Sequence, residues 1–126
     1  MSLDLSLFPL NHPRQLRETE VLCVGRLNWD QDYRIFGQLI DMAQYGIAEK
    51  PTIRTHAFPP QLWIEFFEEE GTKRENTDPY GEPLTFAYAQ DLKKLELPPD
   101  ASPQSRAIKA FISELPEKTP IVLYWH

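Results

Sequence analysis

Few side chains in this sequence stand where their types and spacing could carry chemistry. His12, His56 and His126 are scattered, and no two share the i, i+3 or i+4 spacing that places two imidazoles on one helical face. A metal site would have to be assembled by the tertiary fold, and none is expected. His12 reads as a solvated loop group and His56 as a residue at a strand end. The single cysteine, Cys23, sits in an apolar run, where it reads as a small buried thiol and therefore an inert one. No serine lies in a Gly-x-Ser-x-Gly setting, and Gly25 has no partner glycines at phosphate-loop spacing. No catalytic residue and no cofactor follow from these residues.

Two groupings carry more. Asn28, Trp29, Asp30 and Asp32 follow a strand-like run and open a helix-like one, the position at which many α/β proteins hold a ligand. Trp29, Asp30 and Asp32, with His56 and His126 brought in by the fold, are the candidate ligand-binding set. The simpler account has Asn28 or Asp30 capping the helix, Asp32 complementing its dipole and Trp29 covering the core edge. The second grouping is aromatic: Trp63, Phe66, Phe67, Tyr80, Phe86 and Tyr88 crowd the least regular third of the chain, more than one small core buries. Trp63, Phe67, Tyr80 and Tyr88 are the candidate partner-binding residues. The acidic run Glu68, Glu69, Glu70 beside them reads either as a patch for a basic partner or as a solvated face protecting a sheet edge.

Composition bounds the answer. A chain of 126 residues has the size of one domain, 1–126, and 41% apolar with 12% aromatic residues is enough to offset chain entropy. The net charge of -6 would repel a phosphate backbone, which argues against nucleic acid. One cysteine rules out a disulfide-built scaffold, and no run approaches the roughly 20 apolar residues of a membrane helix. The expected compartment is the cytoplasm.

The elements that must position these groups follow from periodicity. Leu3, Leu5 and Leu7 alternate with polar residues in 2–8, predicting a half-exposed strand that pairs in a loose hairpin with a more evenly apolar strand at 21–27. Ile35, Phe36, Leu39, Ile40 and Ala43 recur at the 3.6 period, predicting a helix over 31–45 with Gly46 at its left-handed C-terminal position. A short strand is expected at 52–57. Residues 61–68 fit strand or helix, with strand favoured because β-branched and aromatic residues are dense and three glutamates suit a helix C-terminus poorly. Residues 71–83 read as an exposed loop. A helix over 86–95 is narrowly preferred to a strand at 84–88 followed by a helical turn. Ser102 and Pro103 open a helix whose apolar stripe is Ile108, Phe111, Ile112 and Leu115, and Pro116 ends it. Residues 120–126 read as a buried strand.

These elements predict an α+β fold: one domain, a mixed four- or five-stranded sheet and two main helices packed on it. The functional expectation is a non-catalytic, acidic interaction module with a protein partner meeting residues 61–88, a homodimer being allowed. The alternative is a small enzyme or small-molecule-binding domain with carboxylates at residues 28–32.

Overall fold

The computed structural model describes residues 2–11, 13–18, 21–23 and 25–126, without the side chains of Glu18 and Cys23. The expectations for His12 and for the Cys23 thiol lie outside that description. The chain forms an α+β structure with two sheets. In order its elements are β1 Leu5–Pro9, α1 Gln15–Glu18, β2 Val21–Cys23, β3 Leu27–Trp29, α2 Tyr33–Phe36, a 3₁₀ turn Ala43–Tyr45, β4 His56–Ala57, β5 Trp63–Glu68, β6 Gly71–Glu75, β7 Thr85–Tyr88, α3 Ala89–Leu92, α4 Pro103–Glu114 and β8 Pro120–Trp125. Five strands make an antiparallel sheet in the order β3-β1-β8-β7-β4. The other three make a mixed sheet in the order β2-β5-β6, with β2 parallel to β5.

Every residue of β8 is buried, because this central strand is dry on both faces and is read in sequence as a continuous apolar run. Ile121, Leu123 and Trp125 enter a core shared with Leu5, Leu7, Ile35, Phe36, Ile108 and Ile112. Val122 and Tyr124 enter a second core with Phe8, Leu22, Ile64 and Phe66. The helices thus cover one face of the large sheet and the three-stranded sheet covers the other. Phe8, Phe66 and Tyr124 bridge the two sheets, with ring centroids 4.8, 5.3 and 5.8 Å apart.

This layering corrects several expectations. Residues 2–8 do not form a half-exposed strand, since Ser6 and Phe8 face the small sheet and are as buried as Leu5 and Leu7. The run 21–27 is not one strand in a hairpin with it. Residues 21–23 join the small sheet, and residues 27–29 pair with β1. An evenly apolar run carries no period-2 signal to say which sheet it serves. The predicted helix over 31–45 stops after one turn, and Asp32 caps it in place of Asn28 or Asp30. Its end has a tertiary cause. The carbonyl of Gln38 accepts from the Thr52 and Ile53 amides at 3.1 and 3.0 Å, and Gly37 lies against Ile47. Gly46 does take the left-handed conformation, at φ 88°, closing the 3₁₀ turn. Because those amides of residues 52 and 53 serve Gln38, the strand expected at 52–57 shrinks to two residues.

Residues 63–68 are strand, with Ile64 and Phe66 buried and Trp63 and Phe67 on the other face. Residues 71–75, expected as loop, are the second strand of a hairpin. Their register with β5 sets Arg74 opposite Glu65, 2.7 Å apart, and no apolar residue announces them. Residues 85–88 are strand followed by the short α3, since Phe86 and Ala87 pair with Val122 and Ile121. Among the described residues only α4 is a long helix. Ser102 accepts from the Ser105 amide as its cap, and Phe111 turns out 45% exposed although its stripe partners Ile108 and Ile112 are buried.

A Cβ built on Gly37 would stand 2.9 Å from Ile47 Cγ2 and 3.1 Å from the Tyr33 carbonyl oxygen. Overpacking there outweighs the few tenths of a kcal/mol that alanine gains from a stiffer unfolded chain, so Gly37→Ala lowers unfolding free energy by about 1–3 kcal/mol. Urea denaturation with an unchanged slope is the readout.

Candidate functional site

The chain crosses from β2 in the small sheet to β3 in the large one through Gly25 and Arg26, and this crossing leaves the Arg26 side chain at the seam between the sheets. Arg26 Nε donates to Ser6 Oγ at 2.8 Å and to Asn28 Oδ1 at 3.0 Å, and Nη1 donates to Glu68 Oε1 at 3.0 Å. Ser6 Oγ lies 2.7 Å from Asn28 Oδ1 and 2.9 Å from His126 Nε2. The guanidinium carbon stands 5.3 Å from the Phe66 ring and 5.8 Å from that of Tyr124, adding cation–π attraction. Ser6, Asn28, Tyr124 and His126 meet here because the antiparallel register pairs Ser6 with both Asn28 and Tyr124, and Asp4 with His126 through two backbone hydrogen bonds.

Arg26 Nη2 is 3.3 Å from the same His126 Nε2 that faces Ser6. A cationic donor is tolerated there only while Nε2 is unprotonated, which favours the neutral imidazole. Burial, and then the Arg26 charge, hold the His126 imidazole below its ordinary value, against the opposite pull of Asp4 and Glu68. Burial also pushes the Tyr124 phenol up to about 12. A serine hydroxyl 2.9 Å from a neutral imidazole is the distance of a nucleophile and its base. Ser6 has 0% exposure, however, and Arg26 Nε sits on its oxygen, so no substrate reaches it. The cluster's chemistry is structural: it satisfies polar groups at a buried seam.

Outward from this cluster opens a cleft of about 670 Å³ lined by Arg26, Asn28, His126, Phe67 and the three glutamates 68–70. The glutamates are held out by the β5–β6 hairpin, whose two-residue connection is followed by Gly71 at φ 118°, a torsion glycine adopts without strain. Arg26 pairs with Glu68, whereas Glu69 and Glu70 are exposed and form no ion pair among the described residues. Phe67 is 81% exposed and Trp63, four residues back on the same face, 38%.

The candidate ligand-binding residues lie apart. Trp29 is buried and donates Nε1–H to Ser105 Oγ at 3.0 Å. Asp32 accepts from the Arg34 amide and guanidinium, and Arg34 also reaches Asp100 at 2.8 Å, holding that carboxyl below its usual range. Asp30 follows β3, half-buried. His56 stacks on Phe86 at 5.2 Å and meets the Tyr88 edge at 5.3 Å. His126 belongs to the seam. Among the four candidate partner-binding residues, Trp63 and Phe67 share the exposed face of β5, Tyr80 lines a separate pocket and Tyr88 is half-buried beside His56. Sequence spacing carries no sign of the group formed by residues 6, 26, 28, 68 and 126, which four separate stretches of chain bring together. Among the described residues, no group of three His, Cys, Asp or Glu side chains stands close enough to hold a metal ion. No helix among them is long and apolar enough to cross a membrane. Comparison with family models, with curated proteins and with solved structures finds no match to this chain.

The depressed His126 value has a signed consequence. As pH falls below about 6.5 the unfolded chain takes up the imidazole proton before the folded one, so this group's contribution to stability is full above that pH and declines below it. His126→Gln removes the decline that sets in below about pH 6.5 in urea titrations, and leaves the separate loss at lower pH that comes from the depressed Asp41 and Asp100 carboxylates.

Proposed function

We propose that residues 1–126 form one domain that works as a non-catalytic interaction module, docking a partner segment that carries both apolar and basic side chains. The observation that carries this reading is Phe67, left 81% exposed at the end of a row with Trp63 and running directly into three glutamates. Covering a phenylalanine of that exposure stabilises a complex by about 1.5–3 kcal/mol, a return the free protein forgoes. Glu69 and Glu70 lack an ion partner within the described chain, and their charge adds to a net -6, so the complementary partner is basic. The same charges disfavour two copies meeting turn to turn, which makes a foreign partner the better occupant than a homodimer. Cytoplasmic residence is part of the same proposal.

Panning a random peptide library on the protein tests it. The enriched peptides carry Lys or Arg next to aromatic or aliphatic residues, and they bind Phe67→Ser at least about tenfold more weakly, the loss expected from one buried aromatic contact. In Glu69→Gln/Glu70→Gln the affinity falls several-fold and its salt dependence flattens. Acidic consensus peptides, or binding indifferent to Phe67, contradict the proposal.

A further inference from the structure

A second pocket, on the helix-covered side of the sheet, has a different character. It is about 450 Å³ in volume and lies among the segment 40–45, the turn 78–83 and the adjoining residues of β7 and β8. Leu3, Ile40, Met42 and Trp125 are its apolar lining residues, joined by Tyr45 and Tyr80. Asp41, Asp78 and Glu82 are its only charged lining groups, with no Lys, Arg or His among the described residues that line it. We infer that this pocket binds a small organic cation, an ammonium group carried on an aromatic or branched apolar body.

The carboxylates divide by role. Asp41 is partly neutralised by Lys50, whose Nζ is 3.2 Å from Oδ2. Asp78 uses Oδ1 to accept from the Tyr80 and Glu82 amides at 2.9 and 3.0 Å, which fixes the turn that Gly81, at φ 82°, completes. Its Oδ2 takes no hydrogen bond among the described residues, and the Glu82 side chain is in no ion pair among them. Two negative charges therefore remain available in a pocket also lined by Tyr45, Tyr80 and Trp125, a combination of carboxylate and aromatic groups that attracts a diffuse monovalent cation. The field is felt by the protein's own groups: burial, followed by the neighbouring Tyr45, Asp4 and Asp78, pushes the Tyr80 phenol up. A metal ion is the poorer occupant, because a hard divalent cation needs several convergent oxygens and this pocket offers an apolar lining. An anion meets the repulsion of Asp41, Asp78 and Glu82 with no cationic lining group to offset it among the described residues.

Titration of the full chain with benzyltrimethylammonium, followed by NMR, tests the assignment against benzyl alcohol and benzoate as neutral and anionic probes. The cation shifts Tyr80 and the Trp125 indole saturably, with a dissociation constant on the order of a millimolar for so small a probe. Benzyl alcohol and benzoate bind at least about tenfold more weakly. Glu82→Gln, a substitution on an exposed side chain whose backbone alone serves the turn, weakens the cation several-fold. Phe67→Ser leaves it unchanged, which separates this pocket from the proposed partner surface. Equal binding of benzoate, shifts confined to residues outside the pocket, or no saturation by about 20 mM overturns the inference.

Discussion

The burial of β8 on both faces is the interaction on which the other elements depend. Its even residues pack with Phe8 and Phe66 toward the small sheet, and its odd residues pack with α2, α4 and Leu5 and Leu7 toward the helices. Neither core is large enough to be generous in a chain of this length. Sharing one strand makes them cooperative: a cavity on either side loosens the ladder that β1 and β7 form with β8, and with it the opposite core.

Stacking a second sheet on the first places the Ser6 hydroxyl, on the middle of β1, against a dry layer, where it meets Asn28 and His126. Arg26 completes that group. Its guanidinium bonds Ser6, Asn28 and Glu68 and lies over two aromatic rings, so a charge at the seam is paired, hydrogen-bonded and partly solvated. That arrangement shuts Ser6 off from solvent although it lies at catalytic distance from His126. It also sets what lies outside: with Glu68 engaged by Arg26, the charge the cleft presents to solvent comes from Glu69 and Glu70 beside Phe67.

What the sequence made legible was local. α4 was readable from Ser102, Pro103 and its apolar spacing, β5 from its β-branched and aromatic density and the glutamates that follow it, since its periodicity fitted strand and helix alike, and β8 from an apolar run after a proline. The strand reading also set Trp63 and Phe67 on the face opposite Ile64 and Phe66, where both are exposed. The losses were tertiary. α2 ends where a loop fifteen residues on takes the Gln38 carbonyl, β7 is a strand because β8 lies beside it, and β6 has a partner but no hydrophobic pattern. The candidate set around Asp30 and Asp32 was drawn from position in the chain alone, and the structure uses Asp32 to cap a helix and pair with Arg34. Tyr80 was grouped in sequence with Trp63, Phe67 and Tyr88, but it lines a separate pocket that depends on Asp78 organising a turn and on residues from both ends of the chain.

The central claim is that one strand holds both cores, and native-state hydrogen exchange addresses it most directly. The amides of Ile121, Val122, Leu123 and Tyr124 are predicted to exchange only through global unfolding, with a protection free energy equal to the unfolding free energy from denaturant. Exchange of those amides through a local opening, at a lower free energy than the amides of α4 or β5, would contradict the account.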